Sequence, residues 1–97
     1  MGENERTSWD DGKREENLRK HLLDFAGVQE VFDGRFSLVR IDNRRDYGEP
    51  RYNMLVVHEG VIINVTFTPR GNGYHLISVR PASRKERRAY HARHQGR

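Results

Sequence analysis

The sequence of 97 residues contains no cysteine, and this absence excludes a disulfide framework, thiolate catalysis and a thiolate metal site. No apolar run is long enough to span a membrane, and the polar N-terminal stretch has none of the features of a signal peptide. The five histidines show no metal-ligand spacing, so neither a metal nor another cofactor is expected. A cytoplasmic protein that does not contact a membrane is the simplest interpretation.

Large apolar residues are also few. Hydrophobic residues make up 34% of the chain and charged residues 33%, and a chain of this length can bury only one modest core. Two stretches are densely apolar, which argues against disorder of the whole chain. We therefore expect a single domain over residues 1–97, in which residues 1–7 are flexible.

Positive charge is concentrated at one end of the chain. Residues 80–97 carry seven Lys or Arg and one acid, whereas the other 79 residues carry 11 bases and 13 acids. A basic terminal segment on a nearly neutral body indicates a polyanion or an acidic protein as partner. The alternative is a solvated tail, and charge alone does not decide between them.

The N-terminal third predicts a short strand followed by two helices. Trp9 anchors the strand in "TSWD", and Asp10 or Asp11 caps the first helix. Leu18 and Leu22 are four residues apart and are expected on its buried side.

The second helix, "DFAGVQEVFD", is shorter. Asp24 is expected to cap it, and the spacing places Phe25, Val28 and Phe32 on one face.

The hydrophobic period then changes from helical to alternating. "RFSLVRID", "RYNMLVVH", "VIINVTFT" and "YHLISVR" predict four strands, and the turn "EG" joins the second to the third as a hairpin. Alternation places on one face of the last strand Tyr74, Leu76, Ser78 and Arg80. Strands joined by short turns pair antiparallel.

The order of elements predicts an α+β fold. Ser83 and Glu86 form an S-x-x-E capping box that begins a basic C-terminal helix. We expect an antiparallel sheet covered on one face by the two N-terminal helices, with the other face at least partly free.

The ordered motifs resemble those of the BrnT toxins, a branch of the RelE-like ribonuclease toxins. The stretches "WDDGKREENLRKHLLDF", "EPRY" and "LISVRPASRKERRAY" carry the resemblance. The matching positions are Trp9, Asp10, Lys13, Asn17, Lys20, His21, Phe25, Val31, Phe32, Arg51, Ile77, Ser78, Arg80, Ala82, Glu86, Arg87 and Tyr90. The sequence departs from the family pattern at Leu22, where a glycine is usual, at Pro50, and at Val56.

The resemblance implies a RelE-like fold and a type II toxin that cleaves RNA and so inhibits translation. It also implies a cognate BrnA antitoxin with a ribbon-helix-helix part, which neutralises the toxin in a hetero-oligomer and binds operator DNA.

RNA cleavage without a metal needs a base for the 2′-hydroxyl, an acid for the leaving 5′-oxygen, and positive charge at the phosphate. Arg80 is the strongest candidate for the charge, because an arginine at a strand end can point over the open face. The alternative is an exposed arginine that pairs with an acid. Tyr90 either stacks on a base or acts as an acid, or it anchors an otherwise apolar-poor helix.

Three further candidates come from the same motifs. Lys20 and His21 share a helical face with Asn17, and His21 titrates near neutral pH. The alternative for His21 is a histidine favoured by the helix dipole. Arg51 either meets a phosphate or pairs with Glu49. The cations expected to attract RNA lie on the last helix: Arg84, Lys85, Arg87 and Arg88.

Two other functions remain open at this point. One is a basic RNA- or DNA-binding module without chemistry. The other is a protein that binds an acidic antitoxin segment and acts as its co-repressor. Cleavage of RNA in EDTA separates the enzyme from the binding module.

Overall fold

The computed structural model describes residues 2–4 and 6–95, which form an α+β fold. The elements are β1 (Gly2–Asn4), β2 (Thr7–Trp9), α1 (Asp11–His21), a 3-10 helix (Val28–Phe32), β3 (Ser37–Ile41), β4 (Tyr52–His58), β5 (Val61–Arg70), β6 (Gly73–Pro81) and α2 (Arg84–Gln95). Residues 1–7 were expected to be flexible; of these, β1 pairs with β2 and Thr7 is buried, whereas residues 1 and 5 lie outside the described part. Neither helix there is long and apolar enough to cross a membrane.

The strands form one mixed sheet in the order β1-β2-β6-β5-β4-β3. Four of the five pairings are antiparallel, but β2 runs parallel to β6, with Trp9 beside Leu76. The expectation of a wholly antiparallel sheet was therefore wrong. The antiparallel rule holds for strands joined by short turns, whereas α1 and three strands separate β2 from β6 in the chain.

The hairpin between β4 and β5 is confirmed, and its turn chemistry explains the register. Glu59 and Gly60 both have positive φ values, 52° and 81°. This is the backbone of a type I′ turn, whose twist matches that of the flanking strands. Direct pairing then runs from His58 opposite Val61 to Tyr52 opposite Phe67.

The main core lies on one face of the sheet, under the segment that follows α1. Its buried residues are Trp9, Phe25, Val28, Val31, Met54, Val56, Ile63, Val65, Phe67, Leu76 and Val79. Phe25 and Val28 are fully buried as expected, whereas Phe32 is half-buried and stacks on Tyr74 with ring centroids 3.9 Å apart. Only a five-residue 3-10 helix forms here, so the predicted cover of two N-terminal helices is corrected to one α-helix and this turn.

Helix α1 packs against the edge of β6 rather than through an apolar stripe. Of the two predicted candidates, Asp10 caps it, accepting a hydrogen bond from the Lys13 backbone N–H at 3.1 Å, whereas Asp11 is the first residue of the helix. Its buried residue is Asn17, whereas Leu18 and Leu22 are 41% and 82% exposed, so the predicted buried side was wrong. An asparagine serves this position because its amide can pair with an open strand edge, which leucine cannot do.

A β-bulge in β6 changes which side chains share a face. Thr66 pairs with Ser78, but Phe67 pairs with Leu76, so Ile77 is the extra residue. The bulge breaks strict alternation. Leu76 therefore faces the main core while Ser78 and Arg80 face the opposite side, which corrects the single face predicted for these residues.

The opposite face is only partly covered. Helix α2 packs there through Tyr90, which forms a second buried cluster with Ala82, Leu55 and Ile62. Along the same strands the apolar residues then give way to polar ones, and the face opens into a cleft.

Candidate active-site cleft

A cleft of about 700 Å³ lies between α2, the open face of the sheet and the loop that joins β3 to β4. Its floor is polar, because the strands place amide and hydroxyl side chains there. The floor residues include Asn53, Asn64, Thr66 and Ser78. Five cations and two acids line it: Arg40, Arg44, Arg51, Arg80, Lys85, Asp42 and Glu86. This excess of positive charge suits an anionic ligand.

Arg80 enters the cleft from the end of β6 in a fixed orientation. Its Nη1 and Nη2 atoms each donate to one carboxylate oxygen of Glu86 at 2.8 Å. Nδ2 of Asn64, the residue directly opposite Arg80 on β5, donates to Glu86 Oε2 at 2.9 Å. The Arg80 guanidinium lowers the pKa of Glu86 to about 2. Glu86 therefore stays ionised near neutral pH and holds Arg80 in place.

The predicted capping box supports the same carboxylate. Glu86 Oε1 accepts from the Ser83 backbone N–H at 2.8 Å, and Ser83 Oγ accepts from the Glu86 N–H at 3.2 Å. Glu86 thus joins the start of α2 to Arg80 and to the cleft floor.

A second arginine is held on the loop side of the cleft. Arg44 donates from Nε to Asp42 Oδ1 at 2.9 Å and from Nη2 to Oδ2 at 2.7 Å. The Asp42 side chain is 1% exposed, whereas that of Arg44 is 74% exposed. Arg44 lowers the pKa of Asp42 to about 2, with a smaller contribution from a hydrogen bond to Asn53. Thr66 in turn donates to Asn53 Oδ1 at 2.7 Å.

Of the remaining cations of the cleft, Arg51 is held by neighbouring side chains, whereas Arg40 and Lys85 are not held by an ion pair within the described residues. Arg51 lies over the Tyr47 ring, with Cζ 4.0 Å from the centroid, and its Nε is 3.7 Å from Glu49. Arg40 and Lys85 are exposed and have no ion-pair partner in the part of the chain that the structure describes.

The structure separates the predicted catalytic residues. Arg80 and Arg51 line the cleft. Lys20 and His21 end α1 beside the edge of β6 and do not line it; Lys20 is exposed, 3.9 Å from Glu16. Tyr90 is 5% exposed and packs edge-on against Phe36, which is the anchoring alternative.

The predicted RNA-binding cations also divide. Lys85 faces the cleft, whereas Arg84, Arg87 and Arg88 are exposed on other sides of α2. Part of the Arg87 guanidinium is already hydrogen-bonded within the protein, because its Nη1 donates to the Ala82 carbonyl at 2.9 Å.

Sequence reasoning missed the loop side of the cleft. Arg40 and Arg44 lie in a polar stretch without periodicity, and only the folded loop brings them to the cleft. A signal existed for the floor: Asn53 and Asn64 interrupt strands of apolar residues, and a polar side chain in such a strand marks an open or functional face.

A mixed sheet with a cationic, arginine-bearing cleft defines a class of protein suited to an anionic ligand. Residues 9–86 match the family described as the ribonuclease toxin, BrnT, of type II toxin–antitoxin systems. Because the match covers most of the chain, the protein belongs to the BrnT family of ribonuclease toxins. Its family makes RNA the substrate class and an antitoxin the partner. A search of characterised proteins gave no significant match.

Proposed function

We propose that this chain is a metal-independent endoribonuclease, built as a single RelE-like domain, that inhibits translation by cleaving RNA. The observation that carries the proposal is the fixed Arg80 inside a cationic cleft. Its guanidinium is oriented by a carboxylate that is itself bonded to α2 and to the sheet floor. Preorganised positive charge of this kind stabilises the crowded phosphorane without reorganisation.

Arg80 retains a free edge for substrate. Glu86 occupies the end of the guanidinium, through Nη1 and Nη2, so that Nε and the second hydrogen of Nη2 remain on the other edge. That edge matches two phosphate oxygens. Arg80 can therefore hold Glu86 and a scissile phosphate at the same time.

The chemistry follows from the groups in the cleft. The 2′-hydroxyl attacks phosphorus, its proton passes to solvent, and the bond to the 5′-oxygen breaks to leave a 2′,3′-cyclic phosphate. Asp42 and Glu86 have pKa values of about 2 and remain ionised, so neither supplies the proton that the 5′-oxygen requires. Lys85 lines the cleft and has no ion-pair partner within the described residues, and we propose it as the general acid that donates this proton.

The roles predicted for Lys20, His21 and Tyr90 remain an untested alternative to this proposal. These residues lie outside the cleft, and Tyr90 is buried, so their participation requires a substrate that reaches the α1 side or a rearrangement of α2. Arg51 stays in the proposal as a second cation at the phosphate.

The proposed antitoxin is BrnA-like, with a ribbon-helix-helix part that binds operator DNA. We propose that one of its acidic segments covers the cleft, because the excess of cations there is complementary to acidic side chains.

The test compares Arg80→Ala with His21→Ala. Purified protein is incubated with RNA in EDTA, and each variant is induced in growing cells. We expect cyclic phosphate products from the wild type, loss of cleavage and toxicity in Arg80→Ala, and near-normal activity in His21→Ala. Thermal unfolding serves as the control for folding. A toxic Arg80→Ala beside an inactive His21→Ala would move the active centre to α1.

A non-catalytic RNA-binding module is the second candidate. One observation favours it: within residues 2–4 and 6–95, neither histidine nor tyrosine lines the cleft. RNA that stays intact but shifts in a gel would support this candidate.

A further inference from the structure

Two arginines in the cleft are each held by a carboxylate. Arg80 binds Glu86, which accepts from Asn64 on β5. On the loop side, Arg44 binds the buried Asp42. In both pairs the guanidinium contacts the carboxylate through two nitrogens.

The two arginines present different edges. Asp42 occupies the Nε and Nη2 side of Arg44, so this carboxylate leaves the end formed by Nη1 and Nη2 unoccupied. Tyr47 also lies beside the guanidinium. This end carries the two parallel N–H groups that bind a phosphate bidentately. The Arg44 side chain is 74% exposed and lines the cleft, so this end is accessible.

We propose that Arg44 is a second phosphate-binding residue, which holds a phosphate flanking the scissile one and so fixes the register of the RNA strand. This inference rests on the proposed function, since it takes Arg80 as the position of the scissile phosphate. Arg44 and Asp42 are absent from the motifs that identify the family in this sequence, and Asp42 acts as a positioning residue through Arg44.

A purely structural role is the alternative for the pair. Asp42 also accepts from the Arg44 backbone N–H at 3.3 Å, so the pair closes a local turn. A structural role changes folding but gives no dependence on the charge of one particular phosphate. The experiment therefore measures that dependence.

The substrate is a deoxyribonucleotide oligomer with one ribose, because a single 2′-hydroxyl fixes the scissile position. Each flanking phosphate is replaced in turn by a neutral methylphosphonate. For the wild type we expect one flanking position at which neutralisation lowers kcat/KM about tenfold, the effect of one charge-assisted hydrogen-bonded contact. In Arg44→Ala, cleavage of the all-phosphate substrate falls by a similar factor, and the methylphosphonate at that position has no further effect.

Arg45→Ala is the matched control, since Arg45 is the next residue, is exposed and does not line the cleft. It should retain the full effect of the methylphosphonate. Because Arg44→Ala leaves Asp42 buried without its partner, a second variant combines Asp42→Asn with Arg44→Gln, which removes both charges and keeps the shape of the buried side chain at position 42. Thermal unfolding checks that both fold.

Two outcomes overturn the proposal. In one, a methylphosphonate lowers kcat/KM of the wild type equally at every flanking position. In the other, the methylphosphonate at the sensitive position lowers kcat/KM of Arg44→Ala by the same factor as it does in the wild type. If the wild type cleaves none of these substrates, the proposed endoribonuclease function fails, and this result does not test phosphate binding by Arg44. Binding of the same oligomer then tests Arg44: its removal, but not that of Arg45, should reduce the slope of log affinity against log salt by about 0.7. An unchanged slope would exclude Arg44 from phosphate binding.

Discussion

At the scale of single residues, the cleft uses paired rather than free arginines as its best-positioned groups. Pairing with Glu86 weakens the electrostatic attraction of Arg80 for RNA but removes most of its rotational freedom, which a long side chain otherwise loses on binding RNA. Arg40 and Lys85, which have no ion-pair partner within the described residues, can supply that attraction instead. The carboxylate that restrains Arg80 is therefore as important to its position as the strand that carries it.

Glu86 should make the free energy of unfolding depend on pH in the acidic range. Its pKa is lowered from 4.5 to about 2, so its contribution is fully present above pH 4.5 and is lost as the pH falls toward 2. Glu86→Gln should cost about 2 kcal/mol at pH 6, because partial exposure screens the ion pair. The difference from the wild type should vanish near pH 2 in urea unfolding. Glu15→Gln, on the exposed side of α1, is the control and should show no such convergence.

A difference between wild type and Glu86→Gln that stayed constant from pH 6 to pH 2 would mean that the carboxylate acts by packing and not by charge.

Leu22 should be a poor residue for its position. It caps the C-terminus of α1 with φ 59° and ψ 26° and is 82% exposed. The left-handed conformation costs a side chain with a Cβ about 1 kcal/mol, and an exposed leucine gains little from packing. Leu22→Gly should therefore raise the free energy of unfolding by about 1 kcal/mol. Leu18→Gly, inside the same helix, should lower the free energy of unfolding by about 1 kcal/mol. If urea unfolding showed that both glycine substitutions change the stability in the same direction, this account would be contradicted.

At the scale of elements, β2 to β6 were predictable, whereas β1, the parallel pairing of β2 with β6 and the packing of the helices were not. The hairpin followed from apolar alternation and from Glu59-Gly60, which are local features. The buried side of α1 was predicted wrongly because the leucine spacing indicates an apolar contact. In the structure, α1 contacts the sheet through Asn17, which hydrogen-bonds to the edge of β6. The bulge at Ile77 has no local signal, and it decides which side of the sheet Arg80 faces. The loop cations of the cleft depend on tertiary closure, so periodicity could not reveal them.

Asn17 should be the main link between α1 and the sheet. Its Oδ1 accepts from the Val79 N–H at 3.0 Å, and its Nδ2 donates to the Val79 and Leu23 carbonyls at 2.7 and 3.0 Å. Asn17→Ala leaves these buried backbone groups unsatisfied and should cost about 3 kcal/mol. Hydrogen exchange of the Val79 amide should accelerate more than that of Val65 in the sheet centre. Arg19→Ala should change stability by less than about 0.5 kcal/mol.

If Asn17→Ala were as mild as Arg19→Ala, α1 would be held by contacts other than this amide.

At the scale of the whole molecule, the sheet has two faces with different tasks. One is closed by the main core, which supplies most of the buried apolar surface. The other is closed at one end by α2 and left open at the other, where Asn53, Asn64 and Thr66 replace apolar residues on the same strands. Helix α2 thus provides a wall of the cleft through Lys85 and Glu86 and a basic outer surface through Arg84 and Arg88.

This division predicts two kinds of salt dependence. Arg84 and Arg88 are exposed and have no ion-pair partner within the described residues, so they should act on RNA as a field. Arg84→Ala and Arg88→Ala should each lower the slope of log affinity against log salt by about 0.7 while leaving kcat at saturating RNA unchanged. Arg80→Ala should instead lower kcat, because its contact strengthens in the transition state. Salt titrations of binding and single-turnover cleavage separate the two effects. A large loss of kcat in Arg84→Ala would place the outer surface of α2 in the active site, and an unchanged slope in both variants would mean that RNA does not cross it.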